Sequence, residues 1–250
     1  MFPLRDENPT VNKSLATFLI IAGNILSWIL IQSGGSGQSF IESIFNWGLI
    51  PGEILSTVPA GVKIPVGDGL VYITESSRSP LTLITSMFMH GGWMHILGNM
   101  WFLYIFGDNV EDIMGPFRFV VFYILCGLAA ALAQMIADPY STAPMVGASG
   151  AIGGVMGGYA LLFPKAPVHV FVFFVKIVVP AIFMLGYWFI LQLISGSSAG
   201  SGNGGVAFWA HVGGFICGIV LVKFFSNKER LSNSRNKKGR TSVIISRTRR

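Results

Sequence analysis

Among the few polar side chains within the apolar segments of this 250-residue chain, four could do chemistry together: His95, Asn99, Ser149 and His211. Polar and ionisable groups are expensive to bury in such segments and mark functional sites by default. Ser149 and His211 have the residue types of a nucleophile and its base. A serine hydroxyl attacks poorly until a neutral imidazole takes its proton, and the resulting imidazolium then protonates the leaving amine. The oxyanion formed on the way needs preorganised donors. The candidates are the Ser149 backbone N–H at a helix start, the Asn99 amide and His95. No carboxylate occupies the two apolar segments that end the chain, so the expected unit is a Ser-His dyad rather than a triad. Each residue also has a plain structural explanation: a serine among glycines packs helices together, and a lone histidine can be a hydrogen-bonded core residue. His90 and His169 fall near segment ends, where hydration favours the structural explanation. The chemistry therefore depends on four groups from three segments converging.

The elements that must bring them together are membrane helices. Hydrophobic residues make up 52% of the chain and charged residues 11%, with a mean hydropathy of +0.63, which excludes an ordinary soluble domain. The expectation is an all-α polytopic membrane protein with six spans, at about 14–33, 93–110, 117–137, 149–163, 168–194 and 206–225. A short N-terminus (1–13) precedes them and a basic tail (226–250) follows. The connection to about residue 80 mixes apolar pieces with prolines and glycines, and should form short helices and turns at the interface. The Gly- and Ser-rich stretch Ser195 to Gly205 is expected to be a mobile cap over the site.

Charge sets orientation and partners. The net charge is +6, but nine of the seventeen Lys and Arg residues follow Ser226. That distribution fits a cytoplasmic tail beside anionic lipid and no nucleic-acid-binding face. With six spans both termini share a side, and Arg5, Lys13, Arg118 and Lys165 fall on it with the tail, making it cytoplasmic. Asp108, Glu111 and Asp112 run against this pattern, though acids count little in the rule. Cys126 and Cys217 each stand alone within an apolar segment and read as small core residues.

Depth and spacing allow convergence. From His95 to Asp108, Ser149 to Pro164 and His211 to Lys223, the rise is roughly 20 Å in each case, so the three groups share one height. Asn99 lies one turn below His95 on the same helix face. The span starting at Ser149 is short, which places the hydroxyl below the surface and leaves a cavity above it. Gly150, Gly154 and Gly158 form a small-residue stripe, Gly153 and Gly157 another, and Gly214 with Gly218 supplies a matching stripe below His211.

These residues resemble the rhomboid family of intramembrane serine proteases. Gly147-Ala148-Ser149-Gly150 is similar to the family's GxSG nucleophile motif, and His95 to Asn99 to its HxxxN oxyanion motif. Ala210-His211 through Gly214 and Gly218 resembles its AHxxGxxxG motif, and Glu111 to Gly115 its ExxxG motif. The resemblance covers about 80–225 and implies a six-transmembrane-helix rhomboid-like bundle. It further implies Ser149 as nucleophile, His211 as base, and His95, Asn99 and the Ser149 N–H as oxyanion stabilisers. His90 would join a hydrogen-bond network nearby, with Gly147, Gly150, Gly214 and Gly218 supporting the site. Single-span membrane proteins are the implied substrates, cleaved where small or helix-destabilising residues let the helix unwind. No metal or cofactor is implied, and the expected location is a prokaryotic plasma membrane. Two departures stand out: Leu81-Thr82 replaces the Trp-Arg pair of many members, and Gly153 replaces a Tyr that stacks on the catalytic His in some.

Other classes fit less well. An intramembrane zinc protease needs HExxH, and no His here precedes a Glu. The Val66-Gly67-Asp68 stretch lies in a loop, without a second intramembrane Asp, and the hydrolase elbow GxSxG fails at Ala151. A transporter would show repeats or a midplane charge pair. A catalytically inactive rhomboid-like protein that binds or escorts membrane clients is the main alternative. It is disfavoured by the presence of both Ser149 and His211.

Overall fold

The computed structural model describes residues 1–67, 69–198 and 206–234. Asp68, residues 199–205 of the expected cap and the basic tail from 235 onward lie outside the described residues.

The chain begins with strand β1 (Phe2–Asp6) and helix α1 (Leu15–Leu30). The long connection that follows holds α2 (Gly37–Trp47), α3 (Pro51–Ile54), a hairpin of β2 (Lys63–Gly67) and β3 (Leu70–Ile73), and α4 (Thr82–Thr85). The central helices are α5 (Trp93–Met114), α6 (Pro116–Ala137) and α7 (Ser149–Leu162). A second hairpin, β4 (Pro167–Val172) and β5 (Val175–Pro180), leads into α8 (Ala181–Ser198) and α9 (Phe208–Phe225). Residues 228–234 form a further helical turn.

Among the described residues, α6, α8 and α9 are long and apolar enough to cross a membrane, while α1 and α7 are shorter apolar helices. Helix α5 has 22 residues but carries Asp108, Glu111 and Asp112 in its last two turns. The architecture is mostly helical rather than all-α. One correction concerns the segment expected as the fifth span, 168–194: its helix starts at Ala181, because 167–180 is a hairpin. β4 pairs antiparallel with β5 and with β1, giving a three-stranded sheet in the order β1-β4-β5. Uniform hydropathy hid this hairpin from a search for spans. Its composition, with Val168, Val170, Val172, Val175, Ile177, Val178 and Val179, is that of strands, and Pro180 sits where the next helix begins.

The acids at the end of α5 have a structural use. Glu111 accepts from the backbone N–H groups of Ala16 (2.9 Å) and Thr17 (2.7 Å) and from the Thr17 hydroxyl (2.7 Å). Those are first-turn donors of α1 that no intrahelical carbonyl can satisfy, and a carboxylate there also meets the positive end of the helix dipole. Asp112 takes the Val11 and Asn12 N–H groups and the Asn12 amide. The N-terminal segment and the start of the tail are thus part of the folded body, since Asn227 also donates to Ile113 O (3.1 Å).

The connection between α1 and α5 is fastened by a buried ion pair. Arg78 reaches Glu53 at 2.6 Å, with both side chains at most 5% exposed. The Arg78 Nε donates to Gly48 O, and the Tyr72 hydroxyl and the Glu75 N–H both donate to Glu53. Burial and the bond to Glu53 push the Tyr72 hydroxyl up to about 12, so it stays a donor. The Leu49–Met145 bridge and the Gly52 N–H bond to Ser141 O then hold this connection over the end of the bundle where α7 starts.

Candidate active site

Helix α7 occupies the centre, nearly all of its residues buried. Its glycines let α9 lie directly on it. A Cβ at Gly214 would stand 1.9 Å from Gly150 O, and one at Gly218 1.9 Å from Gly154 O, so the two backbones touch along the stripes expected from the sequence. His211, three residues before Gly214, is thereby carried to the start of α7.

There the Ser149 hydroxyl donates to His211 Nε2 at 2.7 Å. A cavity of about 530 Å³ opens beside the pair, lined among others by His95, Gly98, Asn99, Gly147 and Gly150. All four polar residues picked out in the sequence meet at this cavity.

The donors are arranged around Gly147. Its φ of 123° lies in the region that favours glycine, and a Cβ there would fall 2.7 Å from His95 Nε2 and 3.5 Å from Asn99 Nδ2. The Gly91 N–H donates to His95 Nδ1 (3.2 Å), which leaves Nε2 as the protonated nitrogen facing the cavity. Asn99 Nδ2 is buried and has no hydrogen-bond partner among the described residues. An unengaged buried donor is costly unless something binds it at work, as an oxyanion would. Ser149 is the first residue of α7, so its N–H belongs to the free N-terminal set.

His90 is fully buried, with its ring against that of His95 (centroids 5.2 Å apart, planes at 73°). Neither His90 ring nitrogen has a hydrogen-bond partner of good geometry among the described residues. Its backbone is clamped instead: Gln32 donates to His90 O and accepts from His90 N, both at 2.8 Å.

Two residues of the site escaped the sequence reading, both on α8. The ring of Trp188 lies 5.6 Å from that of His211, tilted by 37°. His211 Nδ1 donates to Gln192 Oε1 at 2.7 Å. Their i, i+4 spacing on one face was the available signal. Neither side chain is ionisable, so neither marks a site by its charge. Among the described residues, no group of three or more His, Cys, Asp or Glu is placed to hold a metal ion.

A serine bonded to a histidine beside a cavity with a buried, unengaged amide donor is an arrangement capable of acyl-transfer chemistry. The rhomboid domain family model matches residues 77–228, more than half the chain, and the chain belongs to the rhomboid family. It is 30% identical over 166 residues to rhomboid-like protein 11, chloroplastic, of Arabidopsis thaliana, covering 62% of this chain and 56% of that one. It is 31% identical over 155 residues to rhomboid protein 1, mitochondrial, of Saccharomyces cerevisiae (59% and 42%). It is also 31% identical over 213 residues to the rhomboid protease GluP of Bacillus subtilis (84% and 34%). The chain thus spans about half or less of the length of these relatives. Family and apolar helices together make it a membrane protein. Two of the three names are organellar, so the relatives do not support the expected prokaryotic plasma membrane.

Proposed function

We propose that the chain is an intramembrane serine protease that hydrolyses peptide bonds in or next to transmembrane helices through a Ser149–His211 dyad. The observation that carries this reading is the 2.7 Å bond from the Ser149 hydroxyl to His211 Nε2 at the edge of a cavity that also holds unengaged donors. Ser149 Oγ attacks the scissile carbonyl carbon as its proton passes to His211 Nε2. The carbonyl oxygen becomes an oxyanion, accepting from Asn99 Nδ2, His95 Nε2 and the Ser149 N–H. Collapse breaks the C–N bond, and the imidazolium gives its proton to the departing amine. Water then repeats the sequence on the acyl-serine.

The substrates proposed are single-span membrane proteins whose helix unwinds to reach a serine that lies below the bundle end. Six crossings are part of this reading. Asn12 bonds to Asp112, Glu7 N to Pro167 O, Ile182 N to Pro164 O and Asn227 N to Ile113 O, which gathers one set of helix ends. Gln32 with His90, and Gly147 N with Ser86 O, gather the other. On this reading the chain passes between these ends through α1, α5, α6, α7, α8 and α9. Basic residues assign the first set, with both termini, to the cytoplasm, where the tail faces anionic lipid.

The test is cleavage of a fluorescent single-span substrate by the protein reconstituted in bilayers, beside Ser149→Ala and His211→Ala. Cleavage by the wild type alone is expected. Undiminished cleavage by either variant, or none by the wild type, overturns the reading. In the second case it would favour a protein that binds or escorts membrane clients.

A further inference from the structure

An imidazole can act as base toward Ser149 only in one of its two neutral tautomers. Nε2 must carry the lone pair, so the proton must sit on Nδ1. Something must select that form, and no carboxylate is available to do so. The group at Nδ1 is the Gln192 amide, whose Oε1 lies 2.7 Å away. A carboxamide presents either an acceptor or a donor, and the donor end would force the unproductive tautomer. The amide nitrogen is turned toward the Trp188 carbonyl one turn back along α8, at a long 3.4 Å, which leaves Oε1 for the imidazole. Trp188 also covers one side of the imidazole with its ring. A directed chain results, from Gln192 Nε2–H to Trp188 O, from His211 Nδ1–H to Gln192 Oε1, and from Ser149 Oγ–H to His211 Nε2.

We propose that Gln192 is a positioning residue for His211: its amide oxygen holds the imidazole in the Nδ1–H tautomer and at the angle from which Nε2 takes the Ser149 proton. This rests on Ser149 and His211 being nucleophile and base. A neutral amide suits the location, because a carboxylate among apolar helices would carry a desolvation cost that no cation here repays. It also bounds the effect. Losing a carboxylate orienter through a tautomer change costs about 10⁴-fold in kcat. A neutral acceptor stabilises the imidazolium less, so its loss should cost about 10- to 100-fold.

The test compares Gln192→Leu, which keeps the bulk and removes the acceptor, with Gln192→Glu, which keeps an acceptor oxygen. Both are assayed in bilayers with the single-span substrate. Gln192→Leu is expected to lower kcat by about 10- to 100-fold with KM within about threefold of wild type, and Gln192→Glu to recover most of that loss. In protein with ¹⁵N-labelled histidine, the His211 signals, identified by their absence in His211→Ala, should report protonated Nδ1 and unprotonated Nε2 in the wild type. In Gln192→Leu they should report a mixture. Unchanged kcat in Gln192→Leu, a loss confined to KM, or a single unchanged tautomer overturns the proposal while the wild type still cleaves. A wild type that does not cleave overturns the dyad itself, and the proposal with it.

Discussion

One methyl group added at Gly214 should disable the site without altering any polar residue in it. The Cβ of Gly214→Ala would stand 1.9 Å from Gly150 O, whereas ordinary van der Waals contact begins at 3.4 Å, so α9 must retreat by about 1.5 Å. Gly150 follows Ser149 in the chain and Gly214 is three residues from His211, so the retreat falls almost wholly on the Ser149–His211 pair. Their 2.7 Å separation would open to about 4.2 Å, past any hydrogen bond. A misplacement of about 1 Å costs on the order of 100-fold in rate, and overpacking between two backbones costs about 1–3 kcal/mol of stability. The assay is kcat/KM on a reconstituted single-span substrate, with thermal unfolding to establish that the variant is folded. Gly186→Ala is the control, because a Cβ at Gly186 meets nothing within 4 Å. The expected result is a loss of about 100-fold or more in Gly214→Ala and full activity in the control. A folded Gly214→Ala that cleaves within about threefold of wild type would refute the claim that glycine contact sets the dyad distance.

Three further outcomes follow from the same contacts. Asn99→Ala removes a donor that nothing else engages, and kcat should fall by about 10²- to 10³-fold with KM nearly unchanged in steady-state kinetics. Glu111→Ala removes the acceptor of three bonds at the start of α1 and should cost about 2–3 kcal/mol in denaturant unfolding, partly restored by Gln. Arg78→Ala strands the buried Glu53 carboxylate and should lower stability by about 3–5 kcal/mol by the same measurement, whereas a silent substitution would show the pair to be dispensable.

What could be read from the sequence was what depth and side-chain size determine. Ser149, His211 and His95 share a height set by helix rise, with Asn99 one turn below His95, and the stripes at Gly150, Gly154, Gly214 and Gly218 state directly that two helices touch. The β4–β5 hairpin was missed because Val and Ile satisfy a membrane segment and a strand alike, so hydropathy cannot separate them. Glu111 and Asp112 looked misplaced on a positive side until their partners were seen. Those partners are backbone N–H groups roughly 95 to 100 positions away, and backbone groups leave no mark in a sequence. Gln192 and Trp188 were legible as an i, i+4 pair, yet only the packing of α8 against α9 shows that they face His211.

The central claim is that Ser149 is a nucleophile activated by His211. A fluorophosphonate, which reacts with an activated serine and needs no substrate, tests it directly, with the adduct mapped by peptide mass spectrometry. Labelling of the bilayer-reconstituted protein is predicted at Ser149, lost in His211→Ala. An unlabelled Ser149 in folded wild type, or equal labelling in His211→Ala, would contradict it.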